Sequence, residues 1–137
     1  MPAMSPSPLP SDFPEELASV AFSLRDEVAW PPTLAASAVE WFGAHGYAVL
    51  GTELWLARDG GIQSLPLDRD GRRGVYGNTV DRRVDEDWDS FALRSATETR
   101  IYLRSFDPSD IAEKGELYFS VVSVDESTFK RLERSPS

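Results

Sequence analysis

Apolar positions along the chain fall into blocks of different period. Leu17, Val20, Ala21, Leu24 and Val28 recur at three- and four-residue intervals, the repeat of a helix that lays one stripe on a core. Asp12 stands where an N-cap belongs, and Glu15 follows at capping-box spacing. Pro31-Pro32 ends this first helix at about Trp30 and opens a second, because proline restricts the residue before it and is tolerated in a first turn. The second stripe is Leu34, Ala35, Ala38, Val39 and Phe42, with Gly46 as a left-handed stop.

The period then changes to two. Tyr47 to Ala57 reads as a strand with Ala48, Leu50, Thr52, Leu54 and Leu56 on one face. Arg58-Asp59-Gly60-Gly61 is a turn, and Ile62 to Leu67 a return strand that Pro66 ends or confines to an edge. Asp68 to Gly74 reads as an exposed loop, and Val75-Tyr76-Gly77-Asn78 as a short extended piece. Ser95, with Glu98 three residues on, is placed to cap a third helix. Its inner side is expected to carry Ile101 and Tyr102, with Leu103 and Phe106 beside them, and Asp107-Pro108 to end it. Leu117 to Val124 is β-branched and aromatic, which predicts a central strand covered on both faces.

The architecture expected is α+β: a small, mostly antiparallel sheet with helices packed on one face, in the order α-α-β-β-(β)-α-β. Residues 1–13, rich in Pro and Ser, are expected to form a disordered arm, residues 14–126 one domain, and residues 127–137 a tail with room for a short helix.

Composition narrows the chemistry. The 137 residues suit one domain, and 41% apolar content suffices for a core. Cysteine is absent, which excludes disulfides, thiolate metal sites and a cysteine nucleophile. The single histidine, His45, excludes a multi-histidine metal site and sits where a helix C-terminus favours it. No stretch of about 18 apolar residues is present, so no membrane partner is expected. The opening MPAMSPSPLPSDFP has neither the basic nor the apolar region of a secretory signal, and the expectation is a cytoplasmic protein. A net charge of −9 opposes nucleic acid.

No G-x-S-x-G elbow is present. Asp68-Arg69-Asp70-Gly71 resembles the start of a calcium loop but lacks its later ligands. The glycine turns at 59–61 and 71–74 match no phosphate-binding fingerprint. No metal or cofactor is therefore expected. An enzyme reading, a small hydrolase, would rest on Glu53 or Asp81 as a general base.

The densest chemistry lies in VDRRVDEDWD, Val80 to Asp89. Asp81, Asp85, Glu86, Asp87 and Asp89 surround Trp88, with Arg82 and Arg83 among them. Trp88 either plugs the core under the loop or anchors a partner. The acids together make a field that draws in a basic partner and raises its association rate.

Five segments resemble the immunity protein 40 family of bacterial polymorphic toxin systems. They are Val28-Ala29-Trp30, Val49-Leu50-Gly51-Thr52-Glu53-Leu54, Tyr76-Gly77-Asn78, Arg94-Ser95 with Ile101-Tyr102, and Leu117-Tyr118-Phe119-Ser120-Val121-Val122. The chain departs from the family pattern at Thr52, Glu53, Gly77 and Thr79. The resemblance implies a non-enzymatic inhibitor that binds the toxic domain of a cognate toxin. The surface expected to do so runs from Gly71 to Asp89, with Glu53, Tyr76 and Asn78 at its base. Tyr76 would give rigid aromatic area, and Asn78 would either fix its own loop or bond the partner's backbone. The alternative is an acidic adaptor or inhibitor in another defence system.

Overall fold

The computed structural model describes residues 9–24, 26–58, 61–64, 77–110 and 115–134. Its spine is β6 (Glu116–Val124), which lies between β2 (Glu27–Trp30) and β3 (Ala48–Arg58) and is antiparallel to both. β1 (Phe22–Leu24) extends the sheet beyond β2. β4 (Gly61–Ser64) and β5 (Gly77–Thr79) both pair with β3. Two helices, α2 (Pro32–Ala44) and α3 (Trp88–Ser105), pack on each other and on the sheet. α1 (Glu15–Ala18) is a single turn, and α4 (Glu126–Arg134) follows β6. This is the expected α+β class with an antiparallel sheet, and the order gains a hairpin before α2 and a helix after β6. No helix among the described residues is long and apolar enough to cross a membrane.

The first expected helix is corrected. It stops at Ala18, and Phe22 to Trp30 form the β1–β2 hairpin instead. Two members of the supposed helical stripe, Val20 and Leu24, stand exposed. The same residues carry a second period: Val28 and Trp30 alternate with Glu27 and Ala29. Joining the edge of β6 buries Trp30 completely, a gain no isolated helix offers. The Trp30 indole N–H donates to the Leu17 carbonyl at 2.9 Å, tying α1 to β2.

Phe13, expected to lie in a disordered arm over residues 1–13, packs into the fold. Phe13 is buried, with its ring 4.9 Å from Trp41, 5.3 Å from Phe42 and 5.7 Å from Trp30. Residues 1–8 lie outside the described residues.

α2 follows its pattern. Ala35, Ala38, Val39 and Phe42 are buried, and Gly46, at φ +83°, makes the left-handed stop. β3 does not keep one face. Its pairing jumps from Val49↔Ser123 to Gly51↔Val122, so Leu50 is an extra, bulged residue. Val49, Leu54 and Leu56 therefore enter the main core, while Ala48 and Leu50 pack with Val80, Trp88, Phe91, Val124 and Phe129. Gly51 is required here because the Asn78 carbonyl presses against the place where a Cβ would stand.

α3 begins well before Ser95. Asp87 is its N-cap and accepts from the Ser90 N–H at 2.8 Å. Ser95 is fully buried inside the helix. Its hydroxyl donates to the Ala92 carbonyl at 2.9 Å and accepts from the Val49 N–H at 2.8 Å. That second bond serves a backbone group which the β3 bulge takes out of regular pairing. Ile101, expected inside, is 62% exposed, and Thr99 and Leu103 face the core instead. β6 is central as expected, but its covering is one-sided at the C-terminal end. Phe119 packs under Tyr102 and Phe106 of α3, while Val122 is 44% exposed.

Candidate functional site

Residues 80–87 connect β5 to α3, which Trp88 and Asp89 open, and the geometry of this stretch is set by one arginine. The Arg94 guanidinium grips Glu86 with both its Nε and an Nη, each at 2.7 Å. It also donates to the Asp81 carbonyl at 2.7 Å and to Glu98 at 2.6 Å. A planar fork suits this task, since a bidentate pair fixes angle as well as distance. Arg94 lies against the Phe91 ring, which in turn belongs to the core around Trp88. The loop is thereby bolted to α3.

Within the loop, the Glu86 N–H donates to the Arg83 carbonyl at 3.1 Å, closing a turn at Val84-Asp85. Asp85 takes a positive φ of 64°, which aspartate tolerates better than most residues. Glu86 turns inward and also accepts from the Arg83 N–H at 3.0 Å. Arg82 donates to the Glu86 carbonyl at 3.0 Å and spreads over the Trp88 and Phe129 rings. A shallow cleft of about 310 Å³ separates the turn from Glu133 of α4.

These contacts divide the residues expected to bind a partner. Asp81, Arg83, Asp85 and Asp89 are exposed. Asp87 is exposed but occupied as the N-cap, with the Ser90 hydroxyl as a second donor at 3.1 Å. Glu86 and Arg82 act within the loop, not outward. Trp88 is buried at 8% exposure, and its indole N–H donates to the Gly46 carbonyl at 2.7 Å. It is the core plug, not the anchor. Asn78 is pinned on both sides: it accepts from the Thr52 hydroxyl and donates to the Thr99 hydroxyl at 3.0 Å. Its amide therefore fixes β5 between β3 and α3. Glu53, next to Thr52 on β3, points to the opposite face of the sheet and accepts from the Trp55 indole at 3.2 Å. Tyr76 and residues 71–75 lie outside the described residues.

Two residues were given no binding or loop-ordering role from the sequence. Arg94, named there only within a resembling segment, organises the loop, and Glu98 four residues on in the same helix is a local signal for it. Val84 stands at the tip of the turn with 92% of its side chain exposed. Its signal is an aliphatic residue stranded between Arg83 and Asp85.

The electrostatics follow from the geometry. The Arg94 hydrogen bonds, helped by the Arg83 N–H, lower the Glu86 carboxyl to about 2. An unfolded glutamate titrates near about 4.3. A group depressed in the folded state stabilises it above the unfolded value. The clamp's contribution is thus complete above about pH 4.3 and declines as pH falls toward 2. A carbon-detected NMR titration should place the Glu86 midpoint near 2, and Arg94→Met should return it toward the ordinary glutamate value. Asp107 and Asp125 are lowered too, by hydrogen bonds from Ser109 and Thr128 respectively. Among the described residues, no group of three or more His, Asp or Glu side chains is placed to hold a metal. His45 stacks on Trp41 at 4.0 Å and its Nδ1–H donates to the Trp41 carbonyl at 2.8 Å, so it caps its own helix.

No family model, curated protein or solved structure matches the chain.

Proposed function

We propose that the chain is a non-enzymatic immunity-type protein that binds and neutralises a cognate toxin domain with a basic surface. The observation that carries this reading is the Arg94-bolted loop, which holds Asp81, Asp85 and Asp89 outward on a preset frame. A preset acidic surface loses little order on binding and steers a positive partner toward it. Val84 at its tip adds the apolar contact that charge alone does not supply. The five segments resembling the immunity protein 40 family point the same way.

The test is co-expression with the cognate toxin domain, sought as the variable C-terminal domain of a large secreted protein encoded beside this chain. The native chain should restore growth. A variant carrying Asp81→Lys, Asp85→Lys and Asp89→Lys should lose most of that protection while keeping its circular dichroism spectrum and melting behaviour. These three positions are chosen because Glu86 and Asp87 also hold the fold. Equal protection by the triple variant, or none by the native chain, would defeat the reading.

A further inference from the structure

The inner face of α3 packs on α2 and the sheet, and its outer face is a row of exposed residues. Asp89, Leu93, Thr97, Ile101 and Ser105 follow one another at four-residue intervals, and all five are exposed. Residues four apart on a helix stand one above the other and form a ridge. Leu93 is 57% exposed and Ile101 62%. A lone surface leucine needs no explanation, but two large aliphatics on one ridge, either side of the small Thr97, make a patch. Arg104 stands beside Ser105 at the end of the ridge. Among the described residues neither Asp89 nor Arg104 has an ion-pair partner.

The order of these groups is complementary to its own reverse. About Thr97 the ridge reads acid, aliphatic, small, aliphatic, base. Turned end for end against a copy, Leu93 meets the copy's Ile101, Ile101 meets its Leu93, and Thr97 meets its own counterpart. Asp89 then lies beside the copy's Arg104 at one end, and Arg104 beside the copy's Asp89 at the other. Two ridges of this kind align when the helices cross at about 50°, and the small Thr97 at the crossing lets the backbones approach. A patch that matches itself under a two-fold rotation is what an isologous contact requires. A uniformly acidic partner would suit Arg104 and be repelled by Asp89, and a uniformly basic one the reverse, whereas a copy satisfies both ends. The net charge of −9 opposes the copies at low salt. The ridge with Arg104 carries one charge of each sign, and at physiological ionic strength charges more than about 8 Å apart are largely screened.

We propose that the outer ridge of α3 is a self-association surface whose partner is a second copy of this chain, packed antiparallel across it. A contact of one helix ridge lies below the roughly 1,200–2,000 Å² that stable complexes bury, so the dimer is weak and forms as concentration rises. The inference does not use the toxin reading. Asp89 is shared with the acidic surface proposed there, so a dimer and a toxin complex compete for that carboxylate.

The experiment is analytical ultracentrifugation of the full chain alone at physiological salt, from micromolar to millimolar concentration, with ¹⁵N spectra recorded over the same dilution. The weight-average mass should rise from monomer toward dimer, and the amides of Leu93, Thr97 and Ile101 should shift with it. Ile101→Gln, at an exposed position that occurs twice in the dimer, should weaken association about tenfold or more with an unchanged circular dichroism spectrum. Asp89→Arg and Arg104→Asp should each weaken it, since like charges then face each other at both ends. An equimolar mixture of those two variants should associate as the native chain does, because opposite signs then meet at both ends, and a variant that merely misfolds gives no such rescue. A monomer at every concentration, a dimer indifferent to Ile101→Gln, or a mixture no tighter than its components would each overturn the proposal. No toxin enters the measurement, so its outcome and that of the growth assay are separate.

Discussion

Trp88→Ala should cost about 3–5 kcal/mol of folding stability, the usual range for removing a large aromatic from a core. Its indole holds three things at once. It packs against Phe91 and Phe129, which joins α3 to α4. Its N–H caps the Gly46 carbonyl at the end of α2. Its ring face supports Arg82, one of the bonds that keep the loop in place. Urea denaturation followed by tryptophan fluorescence and circular dichroism measures the loss, read as a lower midpoint at similar slope. A loss below about 1 kcal/mol would mean that the site relaxes around the gap and that Trp88 is no core plug.

Phe13→Ala should have an effect of the same order, about 3–5 kcal/mol, although Phe13 lies in a segment that sequence composition marks as an arm. Its ring sits among Trp30, Trp41 and Phe42, where β2 meets α2. Aromatic pairs of this kind contribute beyond their buried area. Phe13→Leu keeps most of the volume and should cost less than about 1.5 kcal/mol. The two variants together separate a packing role from a loss of chain order. If both leave the urea midpoint unchanged, residues 9–13 do not belong to the folded unit.

The sequence made some of this visible and concealed the rest for physical reasons. α2 was legible because its stripe, its opening prolines and its closing glycine agree, and nothing distant competes with them. β6 was legible from its run of β-branched and aromatic residues. The β1–β2 hairpin was not, because residues 17–30 satisfy both periods and the choice is made by the open edge of β6, far away in sequence. The start of α3 was misplaced because Asp87 and Ser95 are equally good caps locally. Only the burial of Trp88 and Phe91 shows that the earlier one is used. The β3 bulge has no sequence signal beyond Gly51, and it parts Ala48 and Leu50 from the face that Leu54 and Leu56 keep.

The candidate site was legible as a place but not as a set of roles. Residues 81–89 follow one another as composition indicates, yet several of the expected contact residues are taken up within the fold. Trp88 enters the core, Glu86 meets Arg94, Asp87 caps α3 and Asn78 locks β5. Composition counts charges, whereas their direction depends on partners such as Arg94 and Thr99 that come from a different element. Val84 was passed over because an aliphatic residue is expected to be buried, and the turn that exposes it requires the Asp85 conformation.

The central claim is that the outward acids of this bolted loop capture a positively charged toxin domain. The most direct measurement is the association rate with the purified cognate toxin domain, followed by stopped-flow across a range of ionic strengths. The account predicts fast association for the native chain that falls steeply with salt, and about tenfold or slower association with a flattened salt dependence for the Asp81→Lys, Asp85→Lys, Asp89→Lys variant. The same rate and the same salt slope for both proteins would contradict it.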